Sequence, residues 1–524
     1  MTTGYLTQQD LVNLKITVDA AEITSKQIDD LIKSDLNSDY KNRMREGSEY
    51  YDVEHDILDN KNYYYVNGIK TEDKAKSNYR LPHPFHKVLV DQKASYIAGN
   101  PIVISVTSPD VADDKSPTPA EESSLAAAEE FEQMVLDKVG EKFDDKLNDW
   151  IVGASKKGQE WMHFYVIPTG ELRYTIIPAE EIIAVYDTQY QEDLVAVIRY
   201  YTYELVNEAG ATLTLYKLEW WTKTQVEYWV QEESGLYVRD PAYNPNPGSH
   251  WKSFNSLTPT NKLSRSWGRV PFVSLYNNTG AKTDLEPIKP LVDAYDKVVS
   301  GWVNDLNDFQ EMVYILKGYA PLTSELETGL SELALFMKNL KTHKVISVGE
   351  AGDVTTLKAE IPVEAKEKLL GLTRKAIFYF GQGVDVANEE FKTPSGIALK
   401  FLYGGLDLKA NQLIRKLKAS LAEFFWFVVG YANMRDGTQY DSTELSFTVN
   451  KSVIINEAEK VQELAASETM LSKQTILENH PLVDDAEEEM RRLDAEEAAR
   501  AEKGIVDLST VDVSEPANGD EDVP

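Results

Sequence analysis

Leu402, Leu406, Ala410, Leu413, Leu417, Leu421, Phe424 and Val428 recur at spacings of 4, 4, 3, 4, 4, 3 and 4. That is the period at which one face of an α-helix is buried. A run of this length commits about seven turns of chain to one rod with an apolar stripe, and no other feature constrains the fold as strongly. Gly404–Gly405 inside it predicts a kink. A second run, Leu291, Tyr295, Val298, Trp302, Leu306, Phe309 and Val313, starts near Pro290, a residue suited to a first helical turn. It predicts a rod roughly 35–40 Å long. A further helix is predicted over 363–379. Between these two lies an insert, 317–362, expected to hold a short helix and a hairpin in "KVISVGEAGDVTTLKA" turning at Gly349–Asp353. Two long helices bracketing a small α/β insert place it at the far end of a stalk.

The flanks read differently. Residues 8–60 are predicted helical. Residues 78–106 begin as a turn and helix and become β-rich after Gly99. "TSPDVADDKSPTPAEESS" (107–124) has the Pro, Ser and Asp content of a surface loop, and one helix is expected from there through about Lys156. From His163 to Leu275, β-branched and aromatic residues between turn signals predict strands. Residues 456–503 are predicted helical, with a solvated tail after them. There is no convincing internal repeat.

A chain of 524 residues exceeds one simple core. It has no cysteine, which removes disulfides and thiolate metal sites and fits a reducing compartment. No signal peptide is read at its start. The longest apolar run, "FFWFVVGYA" from Phe424, is far short of the ~20 residues of a spanning helix. A cytosolic, soluble protein without membrane contact is expected. The formal charge is −32, which repels nucleic acid at long range. From Asp484 onward there are 15 acidic and 4 basic residues, so −21 remains on the body.

The motifs contain no chemistry of their own. "FGQGVDVANEEFKTPSGIALKF" (380–401) places glycines in a loop before a helix, but no Lys-Ser/Thr pair follows them, and Asp385, Glu389 and Glu390 would meet a phosphate with like charge. A plain helix–helix connection explains its composition, although about a dozen residues is long for one. The seven histidines (55, 83, 86, 163, 250, 343 and 480) form no HExxH pattern, and His83 and His86 read as packing or capping residues. No serine sits in a GxSxG elbow. The carboxylates of "DDAEEEMRRLDAEEAARAEK" surround a solvated charged helix. The "NNT" at Asn277 has no secretory context. The aromatics between Tyr200 and Tyr237 read as a sheet core or interface. No catalytic set, metal site or cofactor is expected.

Four segments resemble the SPP1-like family of tailed-bacteriophage portal proteins, over about residues 20–500. They are "YYDVEHDIL" (with Val53 where the family commonly has glycine), "LPHPFHKVLVDQKASYIAGNPI", "TPSGIALKFLYGGLDLKA" and "MLSKQTILENHPLVDDAEEEMRRLDAEE". The resemblance implies an α+β, portal-type fold with long stem helices, a β-rich wing, a small α/β clip and a helical crown. It divides the chain into an N-terminal helical region (1–60), wing (61–285), stem helix (286–316), clip (317–362) and second stem helix (363–380). A tunnel loop (381–394), long wing helix with return strand (395–455), crown (456–503) and acidic disordered tail (504–524) follow.

The resemblance also implies a function. Subunits would form a ring, commonly dodecameric, at one capsid vertex in the virion after assembly in the host cytoplasm. Double-stranded DNA would pass through its axial channel with weak, non-specific contacts. The partners implied are the terminase large subunit, a head-completion or adaptor protein, and capsid and scaffolding proteins. Asp385, Asn388, Glu389, Glu390 and Lys392 would line the tunnel loop, Lys392 being its single basic contact. Val345, Ile346, Val348, Val354 and Leu357 would form the clip interface, and Trp302, Leu306 and Phe309 the stem packing. Two other classes stay open: a nucleic-acid-processing enzyme with a carboxylate-built metal site, and a non-viral oligomeric scaffold.

Overall fold

The computed structural model describes residues 5–18, 23–66, 69–72, 76–106, 118–206, 210–255, 258–308, 313–317, 353–357, 363–387, 396–452 and short stretches between 461 and 495. The chain divides into two compact units, 1–385 with 405–452, and 386–404 with 453–524.

The first unit opens with strand β1 (Leu6–Thr7) and helices α1 (Gln8–Asn13), α2 (Ser25–Leu36) and α3 (Asp39–Tyr51). Thr7 with Asp10, and Thr24 with Gln27, form capping boxes that satisfy the first free N–H groups of α1 and α2. The ribbon β2 (Tyr63–Val66) and β3 (Ile69–Glu72) comes next, then α4 (Phe85–Ala98) and β4 (Val103–Val106). The single helix expected up to Lys156 is two, α5 (Pro119–Val139) and α6 (Phe143–Lys157). Gly140 separates them with φ +77°, a left-handed conformation that ends a helix.

Strands then dominate: β5 (Gln159–Val166), β6 (Leu172–Ile177), β7 (Ile182–Tyr186), β8 (Leu194–Val206), β9 (Thr212–Thr222), β10 (Val226–Gln231), β11 (Tyr237–Arg239), β12 (Trp251–Asn255), β13 (Thr258–Arg265) and β14 (Phe272–Tyr276). They form a six-stranded sheet ordered β1-β7-β8-β9-β10-β11, a three-stranded sheet β14-β5-β6 and a ribbon β12-β13. The large sheet has two buried faces. On one, Ile28, Leu31 and Ile32 of α2 pack with Ile183, Val185, Ile198 and Trp220. On the other, Tyr40 and Met44 of α3 meet Ala184, Val197, Trp221 and Phe272. The N-terminal helices and the first strand therefore share a core with the strands of the expected wing. The aromatics between Tyr200 and Tyr237 lie mostly in that core, with Trp220 fully buried.

The remaining elements are α7 (Lys289–Asp308), β15 (Val313–Lys317), β16 (Asp353–Leu357), α8 (Val363–Gly381), α9 (Gly396–Asp436) and β17 (Leu445–Thr448). In α9 the periodic stripe is buried from Leu406 onward: Leu406, Ala410, Leu413, Leu417, Leu421, Phe424 and Val428 are all at most 3% exposed, whereas Leu402 at its start is only half-buried. Its helix is continuous through Gly404–Gly405. Strand β17 pairs antiparallel with β4. The helix expected to run through Val313 is described as α7 up to Asp308, and Val313, read as its last apolar position, lies in β15 instead. Strand β15 pairs with β16 from Val313↔Leu357 to Lys317↔Asp353. The expected hairpin turned at Gly349–Asp353 and paired the residues after that turn with those before it. The described partner of 353–357 is instead 313–317, where the chain enters the insert, and 344–348 lies outside the described residues. Described parts of the second unit include the start of α9 and α10 (Lys473–Glu478), whose first turn is capped by Ser472 Oγ accepting from Thr475 N.

Candidate functional site: the strapped helix pair

Helices α7 and α8 pack together where Phe85 and Leu89 of α4, Tyr50 of α3, and Leu285, Ile288, Val292, Ile377 and Phe378 form one cluster. Lys366 of α8 is bonded to Asp305 of α7 at 2.7 Å. A second, polar side of α7 reads Asp293, Asp296, Ser300, Asn304 and Asn307, at spacings of 3, 4, 4 and 3. The last four engage the chain that leads into α4, and Asp293 bonds Tyr50 of α3. Tyr79 N donates to Asn304 Oδ1 (2.7 Å), Leu81 N to Ser300 Oγ (3.0 Å) and His83 N to Asp296 Oδ1 (3.0 Å). Asn307 bonds Ser77, and the Asn304 amide returns a bond to Tyr79 O.

The geometry of this strap follows from two rises per residue. Two residues of extended chain advance about 6–7 Å, and four residues of helix about 6 Å. Every second strap amide therefore meets one turn of α7. The intervening positions include Pro82 and Pro84, which have no N–H to leave unpaired.

Asp296 is the focus of the strap. It is fully buried, with His55 Nδ1 at 2.6 Å and His83 Nδ1 at 2.8 Å on its two oxygens. The His55 ring stacks on Tyr50 at 4.3 Å, and the Tyr50 hydroxyl donates to Asp293. Lys289 joins Asp56 (2.6 Å) to Asp293 (2.9 Å). His83, expected to pack or cap, and His55 are both bonded to this carboxylate, and neither side chain caps a helix. His86 is buried edge-on to Tyr51, and burial lowers its pKa to about 4. The sequence reading missed this ladder because it followed only the apolar period. The signal was present as a second stripe of Asp, Ser and Asn at the same helical spacing.

At the C-terminus of α8 the glycines of the 380–401 stretch have a packing role. A Cβ on Gly381 would lie 2.6 Å from Leu89 Cδ1, and one on Gly383 2.0 Å from Leu89 Cδ2. Gln382 between them has φ +55°. The Gln92 side chain bonds both Val384 N (3.0 Å) and Val384 O (2.8 Å), and Lys409 donates to Gly381 O (2.9 Å). Residues 381–385 are therefore seated on α4 rather than projecting. Asp385, expected on a DNA-facing loop, is held by Arg374 through two bonds of 2.9 and 2.7 Å, so its charge is balanced within the chain.

Beneath the turn, buried Asp284 meets Lys93 at 2.6 Å and Lys409 at 3.1 Å. Burial would raise its pKa, but the ammonium groups of Lys409 and Lys93 outweigh this and hold the carboxyl below its usual range. Burial lowers the Lys93 pKa to about 8. A cavity of about 380 Å³ opens beside these groups, lined by Asn277, Lys282, Gln382 and Gln412 among others.

Of the expected site residues, Trp302 is half-buried on α7 and Leu306 is 52% exposed. Val354 and Leu357 fall in β16. Phe309, Val345, Ile346, Val348, Asn388, Glu389, Glu390 and Lys392 lie outside the described residues. Among the described residues, no group of three or more His, Asp or Glu is arranged to hold a metal ion. None of their helices is long and apolar enough to cross a membrane.

On α8, Leu369, Leu372, Tyr379 and Phe380 are 49, 68, 78 and 56% exposed. At 100° per residue they span an arc of about 100°, turned away from buried Ile377 and Phe378. A helix pair strapped on a polar side and apolar toward solvent defines a structural subunit built to associate. The chain belongs to the family described as phage portal protein, SPP1 Gp6-like, which it matches over residues 30–503. It is similar to the portal protein of Bacillus phage SPP1, 32% identical over 489 residues, covering 92% of this chain and 89% of that one. It is also similar to the portal protein of Clostridium phage phiCD119, 28% identical over 457 residues, covering 83% and 90%. A chain of a structure titled "Neck of native GTA particle computed with C12 symmetry" aligns over 76% of this chain and 90% of its own, at 14% identity and a TM-score of 0.38. That last likeness is too low to bear on the argument.

Proposed function

We propose that this chain is a subunit of a closed ring, of about a dozen copies as the family resemblance implies, at one vertex of a phage capsid. The ring is the conduit for DNA packaging and ejection. The observation that carries this reading, beyond family membership, is the exposed apolar face of α8, with Leu306 of α7 also exposed. Four large apolar residues in one arc exceed what a lone helix pair leaves to water. In this reading α7 and α8 are stem helices, the strand-rich body is the wing, and β15–β16 belong to the base of a clip that includes Val345, Ile346, Val348, Val354 and Leu357. Residues 386–394, with Asn388, Glu389, Glu390 and Lys392, form the tunnel loop. Asp385 serves as its anchored root through Arg374.

The acidic charge of −32 suits a channel that lets DNA slide, because carboxylates facing phosphates make no lasting contacts. The terminase large subunit, a head-completion or adaptor protein, and capsid and scaffolding proteins would dock on the ring. The protein would act as structure rather than as an enzyme, at the portal vertex of the virion, after assembly in the host cytoplasm. Electron microscopy and native mass spectrometry of the purified protein test this directly. Rings with a central hole support it, and a strictly monomeric mass at micromolar concentration overturns it. Metal-dependent turnover of DNA would replace it with the enzyme reading, and assemblies without an axial channel with the scaffold reading.

A further inference from the structure

The ribbon β2–β3 is anchored at its base, and its two strands are paired with each other. At the base, Asn62 Nδ2 donates to Ser77 O (2.9 Å), Arg80 Nε to Asn60 O (2.7 Å), and Arg80 Nη2 to Asn62 Oδ1 (3.3 Å). Ser77 and Tyr79 are in turn fixed to α7 through Asn307 and Asn304. Beyond that base the two strands pair only with each other among the described strands. A lone two-stranded ribbon is marginally stable in water. It also exposes Tyr63 (45%) and Ile69 (69%), with Lys61, Lys70 and Lys76 exposed around them. The Lys70 ammonium lies 3.9 Å from the centre of the Tyr63 ring.

Charge identifies the occupant. Residues 60–80 contain Lys61, Lys70, Lys74, Lys76 and Arg80 against Glu72 and Asp73. This is a net +3 in a chain of −32, so the remainder carries −35. We propose that β2–β3 is an arm that docks on the acidic surface of a neighbouring copy of this chain. The inference rests on the ring reading above. It adds a head-to-tail contact in which the arm on one side of a subunit meets a different surface on the next, the kind of contact that generates rings. Opposite charge steers and registers the docking, and the face on which Tyr63 lies beside Lys70 makes the contact, with Ile69 on the opposite face of the ribbon.

Because the chain has no cysteine, Ile69→Cys gives a single thiol at an exposed position. A thiol–amine cross-linker is applied to rings assembled from a mixture of ¹⁴N- and ¹⁵N-labelled subunits, and cross-linked peptides are sequenced by mass spectrometry. The expected result is peptides joining the arm of one isotope to the body of the other. In parallel, the triple variant Lys61→Glu, Lys70→Glu, Lys76→Glu is expected to reduce ring yield about tenfold at 0.15 M salt, with wild-type circular dichroism. Ile69→Cys rings that give only same-isotope cross-links, with the triple variant assembling normally, overturn the arm and leave the ring standing. Absence of any wild-type oligomer overturns both. Duplex DNA binding that disappears in the triple variant, without cross-links between copies, reassigns the ribbon to nucleic acid and overturns the proposal.

Discussion

Replacing Asp296 by alanine removes one carboxylate from three donors at once: His55 Nδ1 (2.6 Å), His83 Nδ1 (2.8 Å) and His83 N (3.0 Å). The losses are unequal. His55 is buried on all sides, so its ring loses a charge-assisted bond and water cannot replace it, a loss of about 1.5–3 kcal/mol. His83 has 29% side-chain exposure, so its ring can turn to solvent at about 0.5–1 kcal/mol. The amide between two prolines has no other partner in the strap, which adds about 1 kcal/mol. Together these give about 3–5 kcal/mol, concentrated in residues 53–59 and 77–86. A chain of two units need not unfold in one step, so local hydrogen exchange is the better assay than a melting temperature. At about 1.4 kcal/mol per decade, amides of Tyr79, Leu81 and His83 should exchange roughly 10²–10³ times faster, while the β8–β9 amides remain unchanged. Asp296→Asn retains one acceptor and should fall between. Strap amides that exchange within threefold of wild type in Asp296→Ala would refute the ladder as the element holding the strap.

Other outcomes follow from packing, burial and length. Gly383→Ala should destabilise by about 1–3 kcal/mol in denaturant unfolding, since its Cβ meets Leu89 at 2.0 Å. Gly405→Ala should be neutral or stabilising by about 0.5–1 kcal/mol, because its Cβ would rest 3.8 Å from Gln382 within a helix. Burial lowers the pKa of His86 to about 4, of His163 to about 3 and of His250 to about 4. The unfolded chain therefore binds more protons than the folded one below pH ~6.5, and stability declines as pH falls from there toward 4. Each histidine should account for about 2 kcal/mol by pH 5. Denaturant midpoints of His163→Gln measured from pH 7 to 5 should show a shallower decline than those of wild type. Deleting part of 386–393 while retaining 381–385 should preserve ring yield, since loop length contributes little to stability, and should lower the DNA packaged per particle. Lost rings would instead make that segment an interface element.

What could be read without the structure was whatever depends on neighbours in sequence. The stripe from Leu402 to Val428 settled α9, since a helix of that length with one apolar face has no other way to bury it. The alternation and aromatic content from His163 to Leu275 settled a β-rich body, and absent catalytic motifs with four spaced segments pointed to the family later matched over 30–503. Tertiary contacts decided the rest. Nothing local shows that Val313 leaves the helix to pair with Leu357, because strand pairing is satisfied between residues distant in the chain. The glycines at 381 and 383 looked like a phosphate loop. They are glycines because Leu89, almost 300 positions earlier in the chain, occupies the space their side chains would need. The polar stripe of α7 was visible as spacing, but its meaning needed an extended strap with the same rise per contact. Periodicity states which face of an element is buried, whereas the identity of what covers it is a long-range fact that only the folded chain contains.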